Sequence, residues 1–468
     1  MTALTRLTTG LLLLAALPLH ADTLNDIYEL AVKNDPLLKE SEATYRANRE
    51  ATAIGRAGLL PSLTANAEYN DSSIDTNSRT PIFATTPIYV DRTIDSDRTV
   101  YSATLSQALF DLPAWFDFKQ GKEISKQAEA ELSSAQQDLI IRTAEAYFDV
   151  LRAEDNLASS RAQELAFARQ LEQAQQRYDV GLIAITDVYE AQAAHDAAVV
   201  SRLSDEGALG IAYEGLTVLT GQSHQNLWVL RADFPITPPE AGSRDEWVRF
   251  SLENNFSLKA SWLAAQAAKQ GALSKKSEHL PTVRGGIYYT NDDSDGDIHD
   301  HLNAFTDSFD ENNEGETVFL RLEVPLYSGG AISAQRRQAY EQYNAASDRY
   351  TAVQRNTIQR ARSLHLAVIT DAQRVKARRQ AIISAQSSLD ATKAGYEVGS
   401  RNVVDVLQSE RLLYQALRDY ANTRYDFVLN QLRLKEQAGL LSPQDIIDLN
   451  LWLETPKAAQ LSQQPSIH

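Results

Sequence analysis

Two aspartates at matching places in the chain are the residues best placed to act on a solute. Asp187 follows Tyr178-Asp179-Val180-Gly181, and Asp405 follows Tyr396-Glu397-Val398-Gly399 about 218 residues later. In a symmetric oligomer each becomes a ring of like charges around an axis. Such a ring attracts cations and repels itself, which suits a selective constriction poised to open. The competing reading is local. An Asp near a helix N-terminus satisfies free N–H groups and complements the dipole, and Thr186 is equally able to cap its helix. The residues alone leave both readings open.

No catalytic constellation accompanies these aspartates. There is no nucleophile elbow, no H-E-x-x-H and no phosphate-cradling glycine loop. The eight histidines lack metal-ligand spacing and cysteine is absent, so no metal, cofactor, disulfide or lipid-bearing N-terminal cysteine is expected. Asn291–Asp297 half-resembles a calcium loop, but it opens on Asn and has Leu302 where the bidentate Glu belongs. It reads as part of a solvated acidic loop, with His299 and His301 an equally weak metal pair. The net charge of −17 and the lack of a basic face argue against nucleic acid.

The elements that position these residues occur twice. Lys33-Asn34-Asp35 through Leu60-Pro61 matches Glu253-Asn254-Asn255 through Leu280-Pro281 without a gap, which points to one supersecondary unit built twice. Residues 122–180 and 331–394 contain neither Gly nor Pro. They carry apolar residues three or four apart, such as Ile140, Ala144, Tyr147 and Leu151, then Ala158, Ala162 and Leu165, a coiled-coil-like pattern. A helix of about 65 residues would reach on the order of 100 Å, more than a globular core needs. Each helix should end at its Y-[DE]-V-G glycine and return as a second helix, about 187–220 and 402–437.

At the other end of each long helix lie residues with period two. Leu63, Ala65, Ala67 and Tyr69 alternate with polar neighbours, as do Tyr101, Ala103 and Leu105, then Val283, Gly285, Ile287 and Tyr289, then Val318, Leu320 and Leu322. That pattern fits membrane β-barrel strands or a sheet on a soluble core. The strand pairs are expected at 61–72 with 98–110 and at 281–291 with 316–327. Long polar loops at 71–98 and 291–315, the second with nine acidic residues and no Lys or Arg, favour an outer membrane. Nowhere after residue 21 are there 18 consecutive apolar residues, so membrane entry requires strands. Four strands cannot close alone, and open edges cannot face lipid. Two chains would pool eight strands, three would pool twelve and leave room for a channel.

Residues 1–21 read as a secretory signal, with Arg6, an apolar run Leu11–Leu17 and Leu19-His20-Ala21. The first repeat is placed at 22–221 with its helical hairpin at 112–220, and the second at 244–438 with its hairpin at 330–437. A linker at 222–243 and a segment at 439–468 should wrap the helices as an equatorial belt, with Ala458–His468 disordered.

Together these landmarks resemble the TolC family of outer-membrane channel-tunnels. The closest stretches are Gln176–Val188, Ala385–Asp390 leading into Ala394–Gly399, Ala144–Leu151 and Pro325–Gly330. The resemblance implies an α+β membrane protein: a trimeric β-barrel with four strands per chain, continued through the periplasm by a long α-helical coiled-coil barrel. It implies passive transport of proteins or small toxic molecules, as a homotrimer in outer-membrane lipid. Its partners would be a periplasmic adaptor (membrane fusion) protein and an inner-membrane ABC transporter or proton-driven efflux pump. Tyr396 and Arg401 match residues that latch the closed tunnel, with Thr186 and Asp187 as their partners. Asp405 matches a gate ring, and the second ring position is Gln408, a departure whose missing charge Glu190 of the first copy is the candidate to supply. Adaptor docking falls at the tips, Gly181 and Leu182 with Gly399 and Ser400. The reading from another class is a soluble periplasmic coiled-coil scaffold.

Overall fold

The computed structural model describes residues 22–80, 88–239 and 243–456. The expected signal segment and the tail Ala458–His468 lie outside the described residues. The chain divides into two compact units, residues 42–133 with 256–355, and residues 1–41 with 134–255 and 356–468.

The first unit holds a four-stranded antiparallel sheet. Its strands are β1 (Ser62–Thr80), β2 (Ile88–Phe110), β4 (Thr282–Asp300) and β5 (Phe305–Glu323), in the order β1-β2-β4-β5. Register sorts the side chains into rows. Leu63, Leu105, Ile287 and Val318 line up on one face, all substantially exposed. Thr64, Thr104, Tyr288 and Thr317 line up on the other, followed by Asn66, Ser102, Thr290 and Gly315. One face is therefore apolar and the opposite face polar, because successive side chains leave a strand on opposite sides. Among the described residues, β1 and β5 each keep one edge without a partner strand.

The strands run well past the expected limits. β1 and β2 extend through most of 71–98, and β4 and β5 leave only residues 301–304 as a turn between Asp300 and Phe305. The polar stretches taken for loops are thus mostly ladder. Apolar alternation marks a strand only where one face is out of water. Beyond that level both faces are wet, and the backbone pairing continues without a sequence signal.

The short helices α2 (Pro36–Arg49), α3 (Ala51–Ala57) and α7 (Phe256–Ser277) lead into the strands. Two long helices follow them, α4 (Leu112–Asp179, 68 residues) and α8 (Ala331–Glu397, 67 residues). Gly121 of α4 sits against α3, where an added Cβ would lie 2.2 Å from the Ala51 carbonyl oxygen.

In the second unit α4 and α8 are joined by α5 (Ile185–Thr220) and α9 (Val403–Gln437), which run back from the tips. Ile140, Ala144, Tyr147 and Leu151 are buried as their spacing predicts. Farther down α4 the seam changes phase. Leu157, Ser160, Gln163, Phe167, Gln170 and Ala174 are buried, while Ala158, Ala162 and Leu165 are exposed. A straight helix drifts against any fixed heptad, so an apolar pattern extrapolated from one level misses the next. The upper core also takes in α1 (Leu24–Asn34), β3 (Val229–Leu230), α6 (Arg244–Asn254), α10 (Pro443–Asn450) and β6 (Leu453–Glu454). β3 pairs with β6. Leu227, Trp247, Leu441 and Ile446 from these segments pack in one cluster with Tyr147, Phe148 and Phe427. At the entry to α2, Asp35 accepts the Leu38 N–H at 2.9 Å and pairs with Arg142 at 2.8 Å, a capping aspartate beside a proline at the first helical position.

Candidate gate at the hairpin tips

Both tips are built the same way from different residues. Gly181 and Gly399 adopt φ of 77° and 79°. Gly181 N–H donates to the Tyr178 carbonyl and Leu182 N–H to that of Arg177. Gly399 N–H donates to Tyr396 and Ser400 N–H to Gly395. These are the paired bonds of a Schellman C-cap, which requires a left-handed residue where a side chain is strained. Val180, Leu182 and Val398 are left 70%, 69% and 79% exposed, so each tip presents apolar side chains to its surroundings.

The two return helices start differently. α9 opens with a capping box, in which Asp405 N–H donates to Asn402 Oδ1 at 2.9 Å and Asn402 N–H donates to Asp405 Oδ2 at 3.4 Å. Asp405 therefore does cap its helix, and Arg401 Nη1 lies 3.8 Å from the same carboxylate. α5 has Ala184 at its N-cap position with no side-chain cap. Thr186 and Asp187 stand in its first turn, where Asp187 has no side-chain hydrogen bond or ion pair among the described residues and faces the positive end of the dipole. Gln408 accepts from Arg411 at 3.4 Å, and Glu190 is exposed.

The hairpins meet beneath the tips. Val188, Ala191, Phe167 and Ala174 of the first pack with Val403 and Leu407 of the second, with Tyr396 against them. The Arg177 guanidinium lies 4.5 Å from the Tyr396 ring centroid, a cation–π contact that spacing along the sequence did not reveal. The buried Tyr396 hydroxyl has no hydrogen-bond partner among the described residues. Within one chain, the described hydrogen bonds and ion pairs do not join Tyr396 or Arg401 to Thr186 or Asp187. Deeper in the second hairpin, the buried Glu410 pairs with Lys393 at 2.8 Å, a link absent from the sequence reading because charges on long helices are ordinarily solvated.

The half-calcium stretch is strand. Asn291–Asp297 lies within β4, so Asp293, Asp295 and Asp297 are strung along one face of an extended strand with Asp292 on the other, and they cannot wrap one ion as a loop does. His299 contacts Thr306 at 3.0 Å and His301 contacts Thr93 at 2.8 Å. Among the described residues no group of three or more His, Cys, Asp or Glu could hold a metal, and no helix is long and apolar enough to cross a membrane.

A sheet with one apolar and one polar face in one unit, and paired long helical hairpins in the other, are the two parts of a channel-tunnel fold. The sequence profile of the Outer membrane efflux protein family matches residues 27–222 and 247–440, and the chain belongs to that family. It is 35% identical to outer membrane protein TolC of Vibrio cholerae serotype O1, over 93% of this chain and 95% of that protein. It is 28% identical to the proteases secretion protein PrtF of Dickeya chrysanthemi, over 92% of this chain and 91% of that one. The fold matches the crystal structure of VceC from Vibrio cholerae with a TM-score of 0.71 at 19% identity, covering 89% of this chain and 96% of that one. The protein is an outer-membrane exit duct of secretion or efflux, with its helical part in the periplasm.

Proposed function

We propose that three copies close their sheets edge to edge, β5 of one against β1 of the next, into a twelve-stranded barrel above a twelve-helix tunnel. The observation that carries this reading is the sheet itself. It is apolar on one face, polar on the other, and open at both edges. In lipid such edges must be paired, and a ring is the arrangement that pairs them all. The polar rows of Ser, Thr and Asn then line an aqueous bore. Cargo, whether protein or small toxic molecule, passes without covalent change. An inner-membrane ABC transporter or proton-driven pump supplies the energy, and a periplasmic adaptor docks at Gly181 and Leu182 and at Gly399 and Ser400.

The tips act as a two-state iris. In the closed state Tyr396 and Arg401 hold the second hairpin inward through Asp187 and Thr186, and adaptor binding favours the outward state. The orphaned Tyr396 hydroxyl supports this reading, since a buried donor without a partner among the described residues fits one supplied on assembly. Charge-assisted links contribute about 1–3 kcal/mol each, so losing two should leave the tunnel leaky. In planar bilayers, Arg401→Ser with Tyr396→Phe should raise single-channel conductance, and conductance equal to wild type would remove the latch. Asp405 forms the entrance ring and Gln408 stands at the second position without charge. Asp405→Asn should reduce cation preference, and unchanged reversal potentials would take Asp405 out of the pore.

A further inference from the structure

We propose that a cavity between α7 and the start of α8 holds the phosphate headgroup of an anionic phospholipid from the periplasmic leaflet. The cavity measures about 610 Å³, within the range of ligand sites. Lys269 and Lys276 of α7 line it, together with Arg336 and Arg337 of α8. All four are exposed, and none is within ion-pair distance of a carboxylate among the described residues. A chain of net charge −17 does not lack counter-charges. The neighbouring Lys275 is paired with Glu278, and the lining's one acid, Glu341, accepts from Asn344 at 3.1 Å. Tyr340 and Tyr343 complete the wall with ring centroids 6.3 Å apart.

Position favours a lipid over a free anion. Lys276 is the penultimate residue of α7, shortly before β4, and Arg336 and Arg337 stand in the second turn of α8, shortly after β5. The first apolar pair of those strands is Val283 with Leu322. The cations therefore lie beside the strand ends nearest the periplasm, where headgroups of the inner leaflet begin. Basic clusters with tyrosines at that level bind anionic lipid.

The test uses the full-length protein in neutral detergent and follows thermal unfolding during titration with phosphatidylglycerol, phosphatidylcholine or inorganic phosphate. Phosphatidylglycerol should raise the melting temperature, and the other two should not. Lys276→Gln with Arg336→Gln should weaken the phosphatidylglycerol response by roughly tenfold or more, with melting unchanged in lipid-free detergent. Lys276→Arg with Arg336→Lys should retain the response. An equal response to inorganic phosphate, or an undiminished response in the Gln pair, overturns the proposal. So does a lower melting temperature of the Gln pair without lipid, because the cations would then be pairing with a second copy of the chain.

Discussion

Asp405 bears on two questions that one substitution can separate. Its carboxylate closes the capping box with Asn402 and also carries the charge assigned to the entrance ring. Asparagine at 405 keeps an oxygen for the Asn402 N–H and removes the charge. Asn402→Ala does the reverse: it deletes the acceptor of the Asp405 N–H and leaves the charge. The alanine variant should destabilise the start of α9 by about 1 kcal/mol, read as faster amide exchange in its first turn with cation preference intact. A loss of selectivity from Asn402→Ala would show that the cap, and not the charge, governs the pore. Arg177 belongs to this scale too, because its guanidinium covers the Tyr396 ring across the two hairpins.

At the scale of elements, helix contacts set which small residues are fixed. An added Cβ at Gly121 would meet the Ala51 carbonyl oxygen at 2.2 Å and its carbon at 2.8 Å. Both are backbone atoms, so no side chain can turn aside. Gly121→Ala should therefore cost about 1–3 kcal/mol through separation of α3 from α4, measured as a lower midpoint in urea. An unchanged midpoint would mean that the two helices part freely. Helix propensity alone predicts the opposite sign, since Ala is favoured over Gly inside a helix by about 1 kcal/mol. The contact prevails because hard overlap with backbone exceeds that gain.

For the whole molecule, charge buried where α4 meets α9 makes stability depend on pH. Burial, reinforced by Asp138 and Glu145, pushes the Glu436 carboxyl up to about 7. The folded state thus holds a proton that the unfolded chain releases near 4.5, and stability falls as pH rises between those values. Glu436→Gln should remove this slope and stabilise the protein at pH 8 by on the order of 2–3 kcal/mol, seen as a flatter melting profile against pH. A profile as steep as wild type would place the titration elsewhere. Asp35 works in the opposite sense. Burial raises its carboxyl, but hydrogen bonds from Arg142 and Leu38 outweigh that and hold it below the usual range. Its contribution is present above the ordinary carboxylate range and is lost as pH falls into the acid.

The residues by themselves determined the duplication, the long helices, the glycines at both tips and the apolar rows at the sheet's helical end. Each of these follows from a local rule: helix propensity, left-handed glycine, or alternation on a strand with one face out of water. Tertiary structure alone decided where the sheet ends, because strand pairing through Asp300 and Phe305 continues where both faces are wet and no period is imposed. It also decided the phase of the lower α4 seam, which depends on the surface of the neighbouring helix and not on α4. The partners of Tyr396 and Gly121 likewise lie on helices distant in sequence, and that of Glu410 lies across its own hairpin; spacing along one helix carries no record of which side chains another brings to it.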